Sequence, residues 1–486
     1  MSEAAPARAT GLPAAAAGPT AGRARVELLI VSTGALLVSL SQSVLVPVLA
    51  ILPERLHTST SNVEWLLTST LLVGAVAVPL FGRMGDLFGK RRLLIVALAA
   101  LAAGSLLDAL TSNVPLLIVG RAMQGASLAA IPLGISLLSA LLPRERVRSA
   151  IALISAMLGV GGALGLPLAG LVAEHANFHV LFWITAGGGA LSLIATVVIV
   201  PADTVRRGGR VDVPGAVVMS GALVALLLPL AQGNSWGWAS ARTLGLLGGA
   251  VVLLGVFVSL ERRVSQPLVD LKATTRRPIV LTNLASLLFG FALFASLIGT
   301  ASFVQAPAIS GYGFGSSIVV AGLCLLPSGL LMLLLAPVAA RLIGSIGANR
   351  TLSLGAAIVA AGWLERIFAT GSLWEVIVGS TIVGAGTGIG YASMPALINA
   401  NTPAAELAAA NGLNSLARSL GSSLASAIGG SLLTVSTITI AGAVLPSLAA
   451  YRSLFAACAA VAVLAAGAAL FVPHDPRPAE PEAVAA

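Results

Sequence analysis

Charged side chains make up only 9% of this 486-residue chain, yet the stretch FGRMGDLFGKRR at 81–92 puts five of them into twelve positions. The set suits few familiar chemistries. Gly85, Gly89 and Lys90 imitate a phosphate loop, but three residues rather than four separate the glycines, and Arg91 stands where Ser or Thr is needed. GAGTGIG at 384–390 has the glycines of a dinucleotide turn, but it lies inside an apolar run with no strand before it, so helix packing explains it. No His–Glu–His metal spacing occurs. His57, His175, His179 and His474 are assigned outside the membrane core and are weak proton relays, while Cys324 and Cys458 sit inside apolar runs as small hydrophobes rather than a disulfide framework. No enzyme, ATPase motor, metal or cofactor is expected. What remains is a handful of ionisable groups in, or at the ends of, long apolar segments: Glu64, Asp108, Arg121, Glu365, Arg366 and Arg418. Such groups are costly in lipid, and they mark proton or ligand pathways or pair structurally.

The elements that position them are membrane spans. The chain is 57% hydrophobic with a mean hydropathy of +0.99, beyond the apolar share of a soluble domain. Fourteen runs reach spanning length: roughly 28–52, 65–82, 93–111, 114–139, 148–172, 179–200, 214–232, 243–260, 279–306, 316–341, 351–371, 375–399, 407–435 and 451–472. They lack strand alternation, and lipid accepts only helices or closed barrels, so helices are expected. The net charge of +9 is topological. With the N-terminus inside, 21 of the 27 Lys and Arg fall on cytoplasmic segments, only Arg55, Arg242 and Arg452 fall outside, and nucleic acid is not implied. An even number of spans puts both termini in the cytoplasm. The 25 Arg against 2 Lys suit a GC-rich genome and hence a bacterial plasma membrane.

Laying 78–94 over 336–352 without gaps superposes Pro79 on Pro337, Arg83 on Arg341, Gly89 on Gly347, Arg92 on Arg350 and Leu94 on Leu352. Gly125 and Pro132 echo Gly388 and Pro395. The first pair of stretches joins spans two and three, and ten and eleven. Two six-helix halves separated by an extra helix pair produce that offset, and transporters are commonly built from such repeats. The expectation is an all-α integral membrane protein: a disordered tail over 1–26, a six-helix bundle over 27–201, a two-helix insert over 202–277, a second bundle over 278–472 and a disordered tail over 473–486.

GRMGDLFGKRR resembles the loop signature of the major facilitator superfamily, with Gly82, Asp86, Gly89, Lys90 and Arg91 in its positions. The fourteen spans, WGW at 236–238 and ERRVSQPLVDL at 261–271 resemble that family's fourteen-helix drug:proton antiporter branch. Asp86 enters the cytoplasm beside the positive end of a helix and basic side chains, so it can pair across the halves in one conformation. The resemblance implies a latch for the outward-facing state, whereas Lys90, Arg91 and Arg92 could equally be topological anchors. IVGRAMQGASLAAIP on span four resembles a second signature. Arg121 lies deep enough to face the cavity, and the resemblance implies that it tunes the proton site, the alternative being a structural Arg; Gln124 and Gly125 follow it. GVGGALGLPLAG at 159–170 resembles the antiporter helix. Gly161 and Gly165 permit close approach, Pro167 permits a kink, and Gly170 follows, although Leu166 and Leu171 replace glycines usual in the family. Packing alone is the alternative to a hinge.

Span one departs most. Where relatives carry an Asp, LSQSVLVP has Ser41 and Ser43 around Gln42. A proton-coupled exporter needs a protonatable carboxylate in its cavity, and by elimination Asp108 is the choice ahead of Glu64 at an outer mouth and Glu365 beside Arg366. Gln42, Ser41, Gln124, Asn283, Gln305, Asn411, Asn414 and Arg418 are candidates for the substrate cavity or for bonds to neighbouring helices. The reading is a monomeric secondary active exporter of small amphipathic drugs or natural products, driven by the proton gradient through alternating access. A uniporter or lipid translocator on the same fold, and a transport-inactive membrane sensor, are the alternatives.

Overall fold

The computed structural model describes residues 21–203, 209–440 and 443–473. Most of the expected tails, the loop cations Arg206 and Arg207, and His474 lie outside the described residues. Fourteen long helices follow: α1 (Ala21–Ser43), α2 (Thr60–Phe88), α3 (Lys90–Leu110), α4 (Val114–Leu141), α5 (Arg144–His175), α6 (His179–Ile199), α7 (Val213–Trp236), α8 (Ala241–Glu261), α9 (Arg277–Gln305), α10 (Ile318–Leu334 and Ala336–Ser345), α11 (Ala348–Phe368), α12 (Leu373–Ala400), α13 (Leu407–Val435) and α14 (Leu448–Leu470). Of those among the described residues, twelve are singly long and apolar enough to span a bilayer, and the two segments of α10, bent by 44°, qualify together. The fourteenth, α13, has the length at 29 residues but carries two Asn, an Arg and six Ser. It packs lengthwise against α2 and α9, where polar groups can find partners.

Prolines explain the irregularities. The α10 bend falls where Pro337 has no N–H to offer Leu333, and a 3-10 turn at Ser127–Ala129 interrupts α4 just ahead of Pro132. Span one, expected to reach residue 52, ends as a helix at Ser43. Turns, a 3-10 piece at Val48–Ala50 and a short helix at Leu52–Arg55 follow, because Pro47 and Pro53 cannot donate to a continued ladder. At its other end α1 begins at Ala21, so residues 21–26 are helical rather than tail. The architecture is also not purely helical: strands β1 (Thr437–Ile440) and β2 (Ala443–Pro446) pair antiparallel between α13 and α14, anchored by the Tyr312 hydroxyl donating to the Pro446 carbonyl at 2.5 Å.

Helices α1–α6 pack mainly on one another, as do α9–α14, and the halves meet through α2 with α13, α5 with α10 and α12, and the second segment of α4 with α13. The repeat is visible in the backbone. Gly89 and Gly347 have φ of +108° and +89° and cap the starts of α3 and α11, a conformation that only glycine adopts cheaply. Contact between the halves is close. A Cβ on Gly82 would come within 2.5 Å of the Ala408 carbonyl, and one on Gly322 equally near the Pro167 nitrogen. Helix α7 touches α2, α13 and α8, while α8 packs on α7 and is otherwise mostly exposed.

Candidate functional site

The charged knot is an interior feature. Asp86, in the last turn of α2, is fully buried and reaches across the halves to the start of α13, accepting from the Ala408 N–H at 3.2 Å and the Ala409 N–H at 2.8 Å. The first N–H groups of a helix have no partners of their own and carry its positive dipole end, so a carboxylate satisfies both needs. Lys90 is buried too. Its Nζ lies 3.5 Å from Asp86 and 3.9 Å from Asp203, and Asp203 in turn accepts from the Lys90 and Arg91 backbone N–H groups at 3.3 Å. Arg91 donates to the Val197 carbonyl on α6, and Arg92 is exposed. Asp86 therefore meets the dipole of α13, while the dipole of α3, the helix that follows it in sequence, is met by Asp203.

A second cluster lies at the opposite end of α3. Asp108 is wholly buried although it lies in the last turn of α3. Its Oδ2 accepts from Gln124 Nε2 at 2.8 Å, and Gln124 Oε1 accepts from Arg121 Nη1, which also donates to the Ser41 carbonyl on α1 at 2.9 Å. Gln124 thus stands between the carboxylate and the guanidinium. Asp108 Oδ1 and Arg121 Nε and Nη2 are buried with no hydrogen-bond partner among the described residues. Close packing makes room for this network, because any Cβ on Gly120 would strike the Asp108 carboxylate.

The cavity between the halves has a volume of about 220 Å³. Helix α1 contributes Ser39, Gln42 and Ser43; α13 contributes Ser415 and Arg418; Phe294 and Tyr391 are its aromatic walls. Of the cavity candidates, Gln42 lines it, whereas Ser41 and Gln124 sit one layer behind. Ser41 Oγ bonds the Val38 carbonyl, and the Gln42 amide comes 3.5 Å from that same hydroxyl. Asn283 does not line it: its Oδ1 accepts from Asn414 at 2.9 Å. Gln305 is exposed and bonds its own helix, four residues back, beyond the reach of the cavity. Asn411 bonds Asn399 and the Leu407 carbonyl.

None of the proposed proton carriers lines the cavity. Glu64 is exposed on α2. Glu365 and Arg366 form no ion pair within 4.0 Å; Arg366 donates instead to Thr300 and Ser380 and lies over the Phe455 ring at 4.7 Å. On α5, Gly161 meets α1 at the Leu36 carbonyl, Gly165 abuts Ser43, and Pro167 and Gly170 face Gly322 and Val319 of α10, so this helix is packed on both halves at once. Ser39, Ser43, Phe294, Tyr391 and Ser415 were not legible as cavity residues; Ser and aromatic side chains on apolar runs carry no signal of the direction they face. The pentapeptide GNSWG at 233–237 has the spacing of a hydrolase elbow, but it ends helix α7 and Ser235 bonds Gln232.

Two helical halves joined by a helix pair, closed around a central cavity, define a multi-pass membrane protein of the transporter type. The chain belongs to the Major Facilitator Superfamily, which it matches over residues 31–328 and 296–486. It is 30% identical to the tetracenomycin C resistance and export protein of Streptomyces glaucescens, over 85% of this chain and 76% of that one. The multidrug resistance protein Stp of Mycobacterium tuberculosis is 28% identical (76% and 69% covered), and the lincomycin resistance protein of Streptomyces lincolnensis 30% (71% and 70%). The crystal structure of the human organic anion transporter MFSD10 superposes with a TM-score of 0.65 at 14% identity, covering 92% of this chain and 99% of that one, a likeness of fold. With fourteen helices and relatives of this kind, the chain falls in the fourteen-helix drug:proton antiporter branch.

Proposed function

We propose that this chain exports amphipathic drugs or natural products from a bacterial cell in exchange for entering protons, as a monomer in the plasma membrane with both termini cytoplasmic. The proton gradient is its only energy source and no cofactor takes part. The observation that carries this reading is the Asp108–Gln124–Arg121–Ser41 chain, which links a buried carboxylate to the residue next to Gln42 on the cavity wall. Asp108 can hold a proton at Oδ1, the oxygen without a donor. Cargo that moves Gln42 moves the Ser41 carbonyl, shifts Arg121, and so alters how well the carboxylate keeps its proton. The resistance and export names of the relatives support the outward direction. Asp86, bound to α13, acts as the latch that keeps the cytoplasmic end closed while the cavity faces out, and release of its two hydrogen bonds lets the halves rock.

One observation favours a second reading, a uniporter or lipid translocator: no carboxylate among the described residues lines the cavity. Proteoliposomes with an imposed pH gradient separate the two. A panel of cationic, neutral and anionic drug-like compounds should elicit proton movement with the wild type and none with Asp108→Asn. Undiminished proton flux in Asp108→Asn removes Asp108 from the mechanism, and substrate movement without proton flux in either protein replaces antiport by the second reading.

A further inference from the structure

Among the described residues, the cavity wall holds one formal charge, and it is positive. Arg418 projects from α13 half-buried into the space; its Nη2 donates to Ser415 at 3.1 Å and its guanidinium lies 5.0 Å from the Tyr391 ring centroid. No carboxylate stands within ion-pair distance among the described residues. Within its own half, helices α9, α10, α12 and α13 carry a single acidic residue, Glu375, in the first turn of α12. Two buried arginines deep in the spans, Arg121 and Arg366, differ. Arg121 is held by Ser41 and Gln124 behind the wall, and Arg366 by Thr300 and Ser380. Among the described residues, Arg418 alone turns its charge to the cavity.

A guanidinium offers five N–H donors in a planar fork that matches a carboxylate or another oxyanion, and Ser415 occupies one nitrogen. A cation desolvated in such a place favours an anion and repels a cation, because no opposite charge shields it. Most of the remaining wall is apolar and aromatic, among it Phe294, Leu293 and Leu166, with uncharged polar groups at Gln42, Ser39, Ser43, Ser419 and Ser422. From this we infer that the cavity selects amphipathic organic anions, aromatic bodies bearing one carboxylate or similarly acidic oxygen, with Arg418 taking the oxyanion and Tyr391 and Phe294 flanking the ring system. The inference rests on the reading of this cavity as the cargo site and names the class of cargo.

The test uses three matched probes of one shape: 2-naphthoxyacetate, its neutral amide, and 2-(2-naphthoxy)ethylamine. Binding to the purified full-length protein is measured by calorimetry, without any gradient. Wild type should bind the carboxylate tighter than the amide by about tenfold to a hundredfold, the worth of a hydrogen-bonded charge, and the amine weakest. Arg418→Gln should abolish the preference, Arg418→Lys should retain part of it, and Arg418→Glu should invert it toward the amine. Equal or tighter binding of the amine by wild type overturns the inference without any variant, and so does an unchanged preference in folded Arg418→Gln. Failure of the export reading shows elsewhere: anion-selective binding with no flux in liposomes would sink proton-coupled export and leave the anion site standing, whereas proton-coupled export of amines would do the reverse.

Discussion

Removing the Asp86 carboxylate should open the end of the bundle at which α2 meets α13. Its two oxygens bond consecutive N–H groups in the first turn of α13, at 3.2 and 2.8 Å, in a place without solvent. Loss of a helix-capping side chain costs about 1–2 kcal/mol, and loss of the charge facing the dipole about 1 kcal/mol more in a buried setting. Asp86→Ala should therefore weaken the closed arrangement by about 2–3 kcal/mol, a shift of roughly thirty- to 150-fold in the closed-to-open ratio. Asp86→Asn keeps one acceptor and should lie between. The assay places a thiol in the cavity as Ser415→Cys, with the buried Cys324 and Cys458 replaced by Ala. A membrane-impermeant maleimide added on the Gly89 side of oriented vesicles should label it much faster when Asp86 is Ala, and transport should fall while thermal stability in detergent shows a folded protein. Labelling at the wild-type rate together with full transport would refute the latch and reduce Asp86 to an ordinary cap.

Two further outcomes follow from packing and polarity. Arg121→Lys keeps a charge but cannot reach both the Ser41 carbonyl and Gln124 as a planar fork does, so it should express normally and lose about tenfold or more of its proton-coupled flux, whereas full flux would make Arg121 purely structural. Gly161→Leu should lower the melting temperature, since its Cβ alone would come 2.7 Å from the Leu36 carbonyl and overpacking costs about 1–3 kcal/mol; Gly162→Ala, with open space around it, should leave that temperature unchanged or raise it.

Much of the architecture was legible because bilayer thickness sets the length of every span, and the run 407–435 coincides with α13. Legibility fell where proline acted. Pro47 and Pro53 shorten α1 relative to its apolar run, since hydropathy does not count lost donors. At the site, Arg121 stood out by its depth in an apolar run, Asp86 by its place in the loop signature and Asp108 only by elimination, and the structure buries all three. What the sequence could not supply was rotation. In a span packed on one face by protein and on the other by lipid, both faces are apolar, so periodicity does not tell inside from out. Hence Asn414 and Arg418, four residues apart on α13, read alike, yet Asn414 bonds Asn283 and Ser286 while Arg418 turns to the cavity. Gln42 and Gln305 likewise read alike, and only Gln42 lies on the cavity wall.

The anion preference proposed for a cavity walled by Arg418 would also set the electrical character of a proton-coupled turnover. A cell membrane is negative inside, and one elementary charge crossing it is worth about 2.3 kcal/mol per 100 mV. Exchange of one outgoing cation for one incoming proton moves no net charge and is blind to that voltage. An outgoing monoanion exchanged for one incoming proton moves two charges in the favourable sense, so each cycle carries current and the voltage alone contributes about 4.6 kcal/mol per 100 mV. A pump working this way draws on the electrical half of the proton-motive force and keeps its driving force at external pH values where the chemical half has vanished.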